Sequence, residues 1–381
     1  MTDVQGTHEP RFEAVRAALQ QNLDSGEELG VSLVVDIDGE HVVDLWGGFR
    51  DPARTVAWDE NTLTNVWSTT KTVTSLAALM LVDSGDIDLR APVARYWPEF
   101  AANGKQDVEI RHLLSHTSGV AGLDQPATVA DLYDHEEAAA RLAAQAPWWR
   151  PGTASGYHAF TYGHLIGEVV RRVTGRTLKE FVAEEIAEPL AADFQIGAAE
   201  RDLGRIADVV PPPPFLFLGA DPDRDSPAWK ALNGPAVDAA VANTRQWRAA
   251  DIGGANGHGN ARSVARILSV LARGGEADGI RLLGEKTIDT VFDVQADGVD
   301  LVNGLRMRWG TGFALPQPRT FPWIPEGRVA FWGGWGGSMI IMDPDRRMTI
   351  SYIMNRMAPG ILGSELSAAY VRAVYDAVAV P

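Results

Sequence analysis

The chain contains no cysteine, so it has no disulfide, no thiolate metal site and no cysteine nucleophile. It also has no apolar run approaching the roughly 18 residues that a membrane-crossing helix needs. The opening residues Met1 to Pro10 lack both the basic and the apolar stretch of a signal peptide, which makes a cytoplasmic protein the expectation. Positive charge is scarce: Lys and Arg number 34 against 50 Asp and Glu, for a net charge of −16. That balance argues against nucleic acid or an anionic membrane as a partner. Neither H-E-x-x-H nor C-x-x-C occurs, so no metal and no other cofactor is expected. Internal repeats and low-complexity tracts are absent as well.

What is present is ordinary globular composition, 45% apolar and 22% charged over 381 residues, enough for one large domain or two. Arg11 to Leu23 has helical periodicity. The β-rich runs Val31 to Ile37 and His41 to Trp46 flank Asp38-Gly39-Glu40 and read as a hairpin. From about Asp86 to Gly304 the pattern is mostly helical with long loops. Helices are expected at Ile110 to Ser115, Tyr162 to Val173 with Gly175 as its stop, Leu178 to Ile186, and Ala261 to Leu271. Pro211 to Pro214 reads as a rigid loop, with structured sequence resuming at Phe215-Leu216-Phe217-Leu218. Strands return at Trp309 to Leu315, Arg328 to Trp332, Ser338 to Met342 and Met348 to Met354, and Ser364 to Val378 closes the chain as a helix. This order predicts an α+β fold. One antiparallel sheet is built from both chain ends (1–85 and 305–381) and flanked by terminal helices. Residues 86–304 form a mostly helical second lobe, with the active site between the two.

Lysine is rare, with five in all, and only Lys71 has a serine three residues before it. Beyond Ser68, Val73, Leu76, Ala77, Met80 and Leu81 recur at helical spacing and Gly85 supplies a stop, so Ser68 and Lys71 are expected on one helix face. A serine hydroxyl is a weak nucleophile until a base takes its proton. A lysine amine can be that base once burial or a nearby cation lowers its pKa from about 10.4. Read in isolation, Ser68 is equally an N-capping serine and Lys71 a solvated charge. The surrounding sequence has to decide.

Trp67-Ser68-Thr69-Thr70-Lys71 followed by an apolar helix resembles the nucleophile motif of serine β-lactamases and penicillin-binding proteins. Arg111-His112-Leu113-Leu114-Ser115-His116-Thr117-Ser118-Gly119 resembles a signature of the class C β-lactamase-related branch. Pro151 to His158, Gly257 to Ser263 and Phe331 to Ser338, with Asp343-Pro344 on the next turn, follow in that family's order. The family's Y-x-N motif reads Tyr157-His158-Ala159 here, so the resemblance implies that Tyr157 shares a proton with Lys71. Ala159 stands where the β-lactamases have an asparagine that helps hold the antibiotic's amide. The third motif, K-T-G or H-x-G elsewhere, reads Trp332-Gly333-Gly334. Tryptophan offers no positive charge for a lactam carboxylate, and this W-G-G is similar to that of family VIII carboxylesterases.

The resemblance therefore implies a β-lactamase/penicillin-binding-protein-like fold. Ser68, Lys71 and Tyr157 are its catalytic residues, the backbone N–H groups of Ser68 and Trp335 its oxyanion hole, and Trp332, Gly333 and Gly334 its substrate-binding strand. The lack of G-x-S-x-G disfavours an α/β-hydrolase, and S-D-N with K-T-G, the class A partners, is missing too. His112 and His116 are expected to be structural. Of Trp148, Trp149, Trp323, Trp332 and Trp335, two or three are expected to line an apolar acyl pocket. The expected activity is a serine carboxylesterase acting on a small-molecule ester, short-chain or small and apolar. The alternatives left open are an amide hydrolase (β-lactam, D-amino acid peptide or linear amide), an acyltransferase and a silent binding protein. The natural substrate and the oligomeric state are not legible from the sequence.

Overall fold

The computed structural model describes residues 3–213 and 223–379. Pro214 and Phe215 to Leu218 lie outside them, so the expected resumption of structure there is not addressed. The main elements are β1 (Gln5–His8), α1 (Glu13–Ser25), β2 (Gly30–Ile37), β3 (Glu40–Gly48), α2 (Thr70–Asp83) and α3 (Tyr162–Thr174). They continue with α4 (Ala261–Ala272), β4 (Ala330–Gly333), β5 (Met339–Asp343), β6 (Met348–Met354) and α5 (Glu365–Ala379).

Three strands from each chain end form one six-stranded antiparallel sheet in the order β1-β3-β2-β6-β5-β4. Its centre is the β2–β6 pair, in which Tyr352 lies opposite Leu33 and Ile353 opposite Ser32. The β2–β3 hairpin turns on Asp38 and Gly39, both at positive φ (58° and 91°), the geometry that matches the strands' right-handed twist. Alternation then sorts the side chains. Tyr352 packs on Tyr370 of α5, while on the opposite face the Ser32 hydroxyl accepts from the Ala261 backbone at the start of α4. The terminal helices α1 and α5 thus cover one face only. The other is covered by α4, which the sequence pattern had counted with the helical insert. Nearly all of α4 is buried, including Val264, Ile267, Leu268 and Leu271, because α2 packs against it on the side away from the sheet.

Two further expectations shift. The strand expected over Trp309 to Leu315 occupies Arg306–Trp309 and pairs with Ala296–Val299. Gly310-Thr311-Gly312 breaks it, with Gly312 at φ 86°, and Ala314 then bridges to Phe331. The helix expected over Leu178 to Ile186 ends at Val182 and widens into a π-turn over Ala183–Ala187. Among the described residues, no helix is long and apolar enough to cross a membrane.

Candidate active site

Helix α2 is buried on almost every side although its first turns are polar. Its hydroxyls are satisfied at home: Thr70 Oγ1 donates to Trp67 O, Thr72 Oγ1 to Thr69 O (2.7 Å), and Ser75 Oγ to Lys71 O (2.7 Å). The helix begins at Thr70, two residues later than the spacing predicted. Trp67 adopts a left-handed conformation (φ 50°), which costs a non-glycine residue about 1–2 kcal/mol. The next amides make tight i→i−3 bonds, from Thr69 N to Val66 O, Thr70 N to Trp67 O and Lys71 N to Ser68 O. Ser68 therefore sits on a turn ahead of the helix. It is half-buried and reachable from solvent, while Trp67 and Thr69 on either side are fully buried.

Lys71 is 2% exposed. Its Nζ lies 3.0 Å from Ser68 Oγ and donates to the carbonyls of Ala159 and Gly254, each at 2.7 Å. No carboxylate is among these partners, and burial alone holds the amine's pKa well below the ordinary lysine value. Gly254 reaches this position because Gly163 of α3 packs backbone to backbone on Gly253-Gly254, too close for any Cβ. Thr74 Oγ1 fixes the same segment by donating to Gly253 O (2.6 Å).

Tyr157 lies across from the lysine, with Nζ 4.8 Å from its ring centroid. Its hydroxyl interacts with Ser68 and accepts from the Trp332 indole N–H at 3.2 Å. Burial drives the phenol's pKa above its usual value, so Tyr157 rests neutral and not as the phenolate that a neighbouring ammonium would favour. The ring stacks on Trp309 at 6.2 Å and meets His116 edge-on at 5.0 Å.

The Gly-rich strand end is joined directly to the turn that carries Ser68. Ser338 Oγ donates to Val66 O (2.9 Å) and lies 3.0 Å from Thr69 Oγ1, so it brackets Ser68 from both sides. Gly334 N donates to Ser338 O (2.8 Å). A Cβ on Gly334 would collide with Ser338 Oγ and Val66 O. Trp335 packs edge-on against Trp67 at 5.1 Å, and Trp67 in turn on Trp247 at 5.5 Å.

The structure thus brings Ser68, Lys71, Tyr157, Trp332, Gly334 and Trp335 to one place. Gly333 ends β4 beside them, where its pairing with Met339 holds the strand. Trp149 lies on Gly156, Trp148 bonds Asp124 and Trp323 packs on Phe321. Ser338, Gly254, Trp67 and Trp309 also adjoin the site; the sequence reading placed Trp67 and Ser338 inside quoted motifs without giving them a role, and singled out neither Gly254 nor Trp309 for the site. For Gly254 the available signal was the Gly253-Gly254 pair, since adjacent glycines mark a close backbone approach.

The histidines have backbone roles. His112 Nδ1 accepts from Glu109 N (3.1 Å) as part of a helix cap. His116 Nδ1 accepts from His158 N (3.2 Å), and His158 links Gly156 O to Ser118 Oγ. Burial holds His116 and His158 well below the usual histidine pKa, so both are neutral imidazoles. Among the described residues, no three His, Asp or Glu side chains converge as a metal site.

The Beta-lactamase family model matches residues 15–371. An esterase/beta-lactamase of Mycobacterium tuberculosis, LipL, is 33% identical over 92% of this chain and 83% of its own. Esterase EstB of Burkholderia gladioli is 29% identical over 94% of each chain. Among solved structures, a family VIII carboxylesterase superposes with a TM-score of 0.92 at 40% identity, covering 98% of this chain and 99% of that one. A penicillin-binding protein homologue from Caulobacter crescentus gives 0.91 at 37% identity, covering 98% and 100%. In sequence and in fold, this chain belongs to the beta-lactamase family.

Proposed function

We propose that this protein is a serine carboxylesterase that cleaves short-chain or small apolar esters through an acyl-enzyme on Ser68. The observation that carries the reading is a buried lysine, free of carboxylate partners, 3.0 Å from an accessible serine hydroxyl. A neutral Lys71 amine has two N–H bonds and one lone pair. The carbonyls of Ala159 and Gly254 take the two N–H bonds, which turns the lone pair toward the Ser68 O–H.

In the first half-reaction Ser68 Oγ attacks the ester carbonyl carbon and its proton passes to Lys71 Nζ. The carbonyl π pair moves to oxygen, and the N–H groups of Ser68 and Trp335 stabilise that charge. Neither donates to an acceptor among the described residues, which leaves both for the oxyanion. As the C–O bond breaks, the departing alkoxide takes a proton from Tyr157, whose raised pKa keeps it in the donor form, and Tyr157 is reprotonated from Lys71. Water then attacks the acyl-enzyme, giving its proton to the same pair, and the acid leaves as Ser68 regains its proton.

An ester is favoured over a β-lactam because Trp332 brings no charge to the third motif and its indole N–H is already given to Tyr157. Amide hydrolysis is the second reading, supported by the double name of the mycobacterial relative. A cytoplasmic location belongs to the proposal and is checked by fractionating cells that produce the protein. The functional test is a turnover panel of p-nitrophenyl acetate and butyrate, a chromogenic cephalosporin and a D-alanyl amide, with wild type and S68A. Ester turnover that vanishes in S68A is expected. A wild type active only on the cephalosporin or the amide would overturn the esterase reading.

A further inference from the structure

Asp300 is a carboxylate with 1% exposure on a segment that the mechanism above does not use. Its Oδ1 accepts three backbone N–H bonds: from Tyr157 (3.0 Å), Val302 (3.0 Å) and Asn303 (3.1 Å). The last two, with the Gly304 N to Asp300 O bond (2.9 Å), curl residues 300–304 into a closed turn around the carboxylate. The first ties that turn to the residue whose phenol faces Ser68. Next to it, Leu301 N donates to Ser155 O (2.8 Å), so the turn grips the chain on both sides of Gly156.

Residues Ser155 to Ala159 are in neither helix nor strand. His116 holds the neighbours, its carbonyl accepting from Gly156 N (2.9 Å) and its Nδ1 from His158 N (3.2 Å), while the N–H of Tyr157 itself is taken by Asp300. We infer that Asp300 is a positioning residue for the reaction: by accepting the Tyr157 N–H it sets where the phenol stands relative to Ser68 and Lys71. The inference rests on the proposed role of Tyr157. It needs an acceptor oxygen at this point, and asparagine keeps one there at the same reach. Alanine keeps none, and it frees the Tyr157, Val302 and Asn303 amides together. A proton donor misplaced by about 1 Å loses on the order of a hundredfold in rate while substrate binding is little changed.

The test measures kcat and KM on p-nitrophenyl butyrate for D300A, D300N, Y157F, D300A/Y157F and S68A, with folding followed by near-ultraviolet circular dichroism. D300A is expected to lose about a hundredfold in kcat with KM within about threefold of wild type. D300N should retain kcat within about threefold. On the Y157F background D300A should cost at most about a further twofold, because its effect runs through the phenol. Should D300A not fold, D300S, which keeps one shorter acceptor, takes its place and should fall between D300N and the loss expected of D300A. Three results overturn the inference: wild-type kcat in the folded D300A or D300S, equal losses for D300N and the variant it is compared with, or additive losses in the double variant. An active S68A would instead overturn the catalytic reading beneath it, so the two failures are distinct.

Discussion

Ala159 meets Lys71 through its backbone: its carbonyl oxygen accepts a hydrogen bond from Lys71 Nζ at 2.7 Å. The position matters twice in the comparison with the β-lactamase motif. Its methyl side chain stands where that motif has an asparagine, yet its main chain still holds the proposed base. Lys71 is therefore held by backbone atoms that a substitution at 159 leaves in place.

As the proposed base, Lys71 would act only when unprotonated, and burial lowers its pKa. For a base, activity rises with pH through the group's own pKa, so the acid limb of kcat/KM should lie well below the pH of about 10.4 expected of a solvated lysine. Lys71→Arg, which stays charged at any accessible pH, should lose about a thousandfold or more. An acid limb near pH 10, or an active arginine variant, would point to another base.

Gly334→Ala should be among the most damaging single-methyl changes in the protein. The added carbon would strike Ser338 Oγ and Val66 O, the bridge that holds the nucleophile turn. Overpacking of this kind destabilises by about 1–3 kcal/mol. Displacing Trp335 from Ser68 should also lower kcat on the order of a hundredfold. Thermal unfolding and ester kinetics on the same preparation check both. Near wild-type kcat would mean that the Gly-rich strand end does not set the oxyanion geometry.

Ester and lactam substrates should be separated by the missing charge at Trp332 and the missing amide at Ala159. Each lost charge-assisted hydrogen bond is worth about 1.5–3 kcal/mol. A kcat/KM for p-nitrophenyl butyrate at least about a hundredfold above that for a cephalosporin is the expected outcome. Comparable values would show that other groups bind the lactam carboxylate.

Glu28 predicts the pH dependence of stability. Its carboxyl is buried against the hydroxyls of Tyr352 (2.6 Å) and Tyr370 (3.2 Å), and burial pushes its pKa up to about 7. The folded state therefore binds this proton more tightly than the unfolded chain does. Its contribution is complete below about pH 4.5 and is lost as pH rises to about 7, a change of about 3 kcal/mol. Denaturant titrations from pH 5 to 8 should show the decline in wild type and a shallower one in Glu28→Gln. Equal slopes in the two would remove Glu28 as the cause.

The sheet was legible because alternation and turn residues report directly on a half-covered surface, and β6 falls on the predicted Met348 to Met354. That Ser68, Lys71 and Tyr157 come together was legible through their motifs. What sequence could not show is whatever depends on strain or on main-chain atoms. Trp67 (φ 50°) and His116 (φ 60°) are held in left-handed conformations that neither residue type advertises, and both adjoin the site. The carbonyls of Ala159 and Gly254 are invisible to side-chain reasoning. Helix α4 carries a strong helical pattern, but periodicity names a buried face without naming the partner that covers it.

The central claim is that Ser68 alone carries the covalent intermediate. It is tested most directly by labelling the protein with a fluorophosphonate, digesting it and locating the adduct by mass spectrometry. One adduct, on the peptide containing Ser68 and absent from S68A, is the predicted result, with Ser115 and Ser118 unmodified. An adduct on any other serine, or full labelling of S68A, would contradict the account.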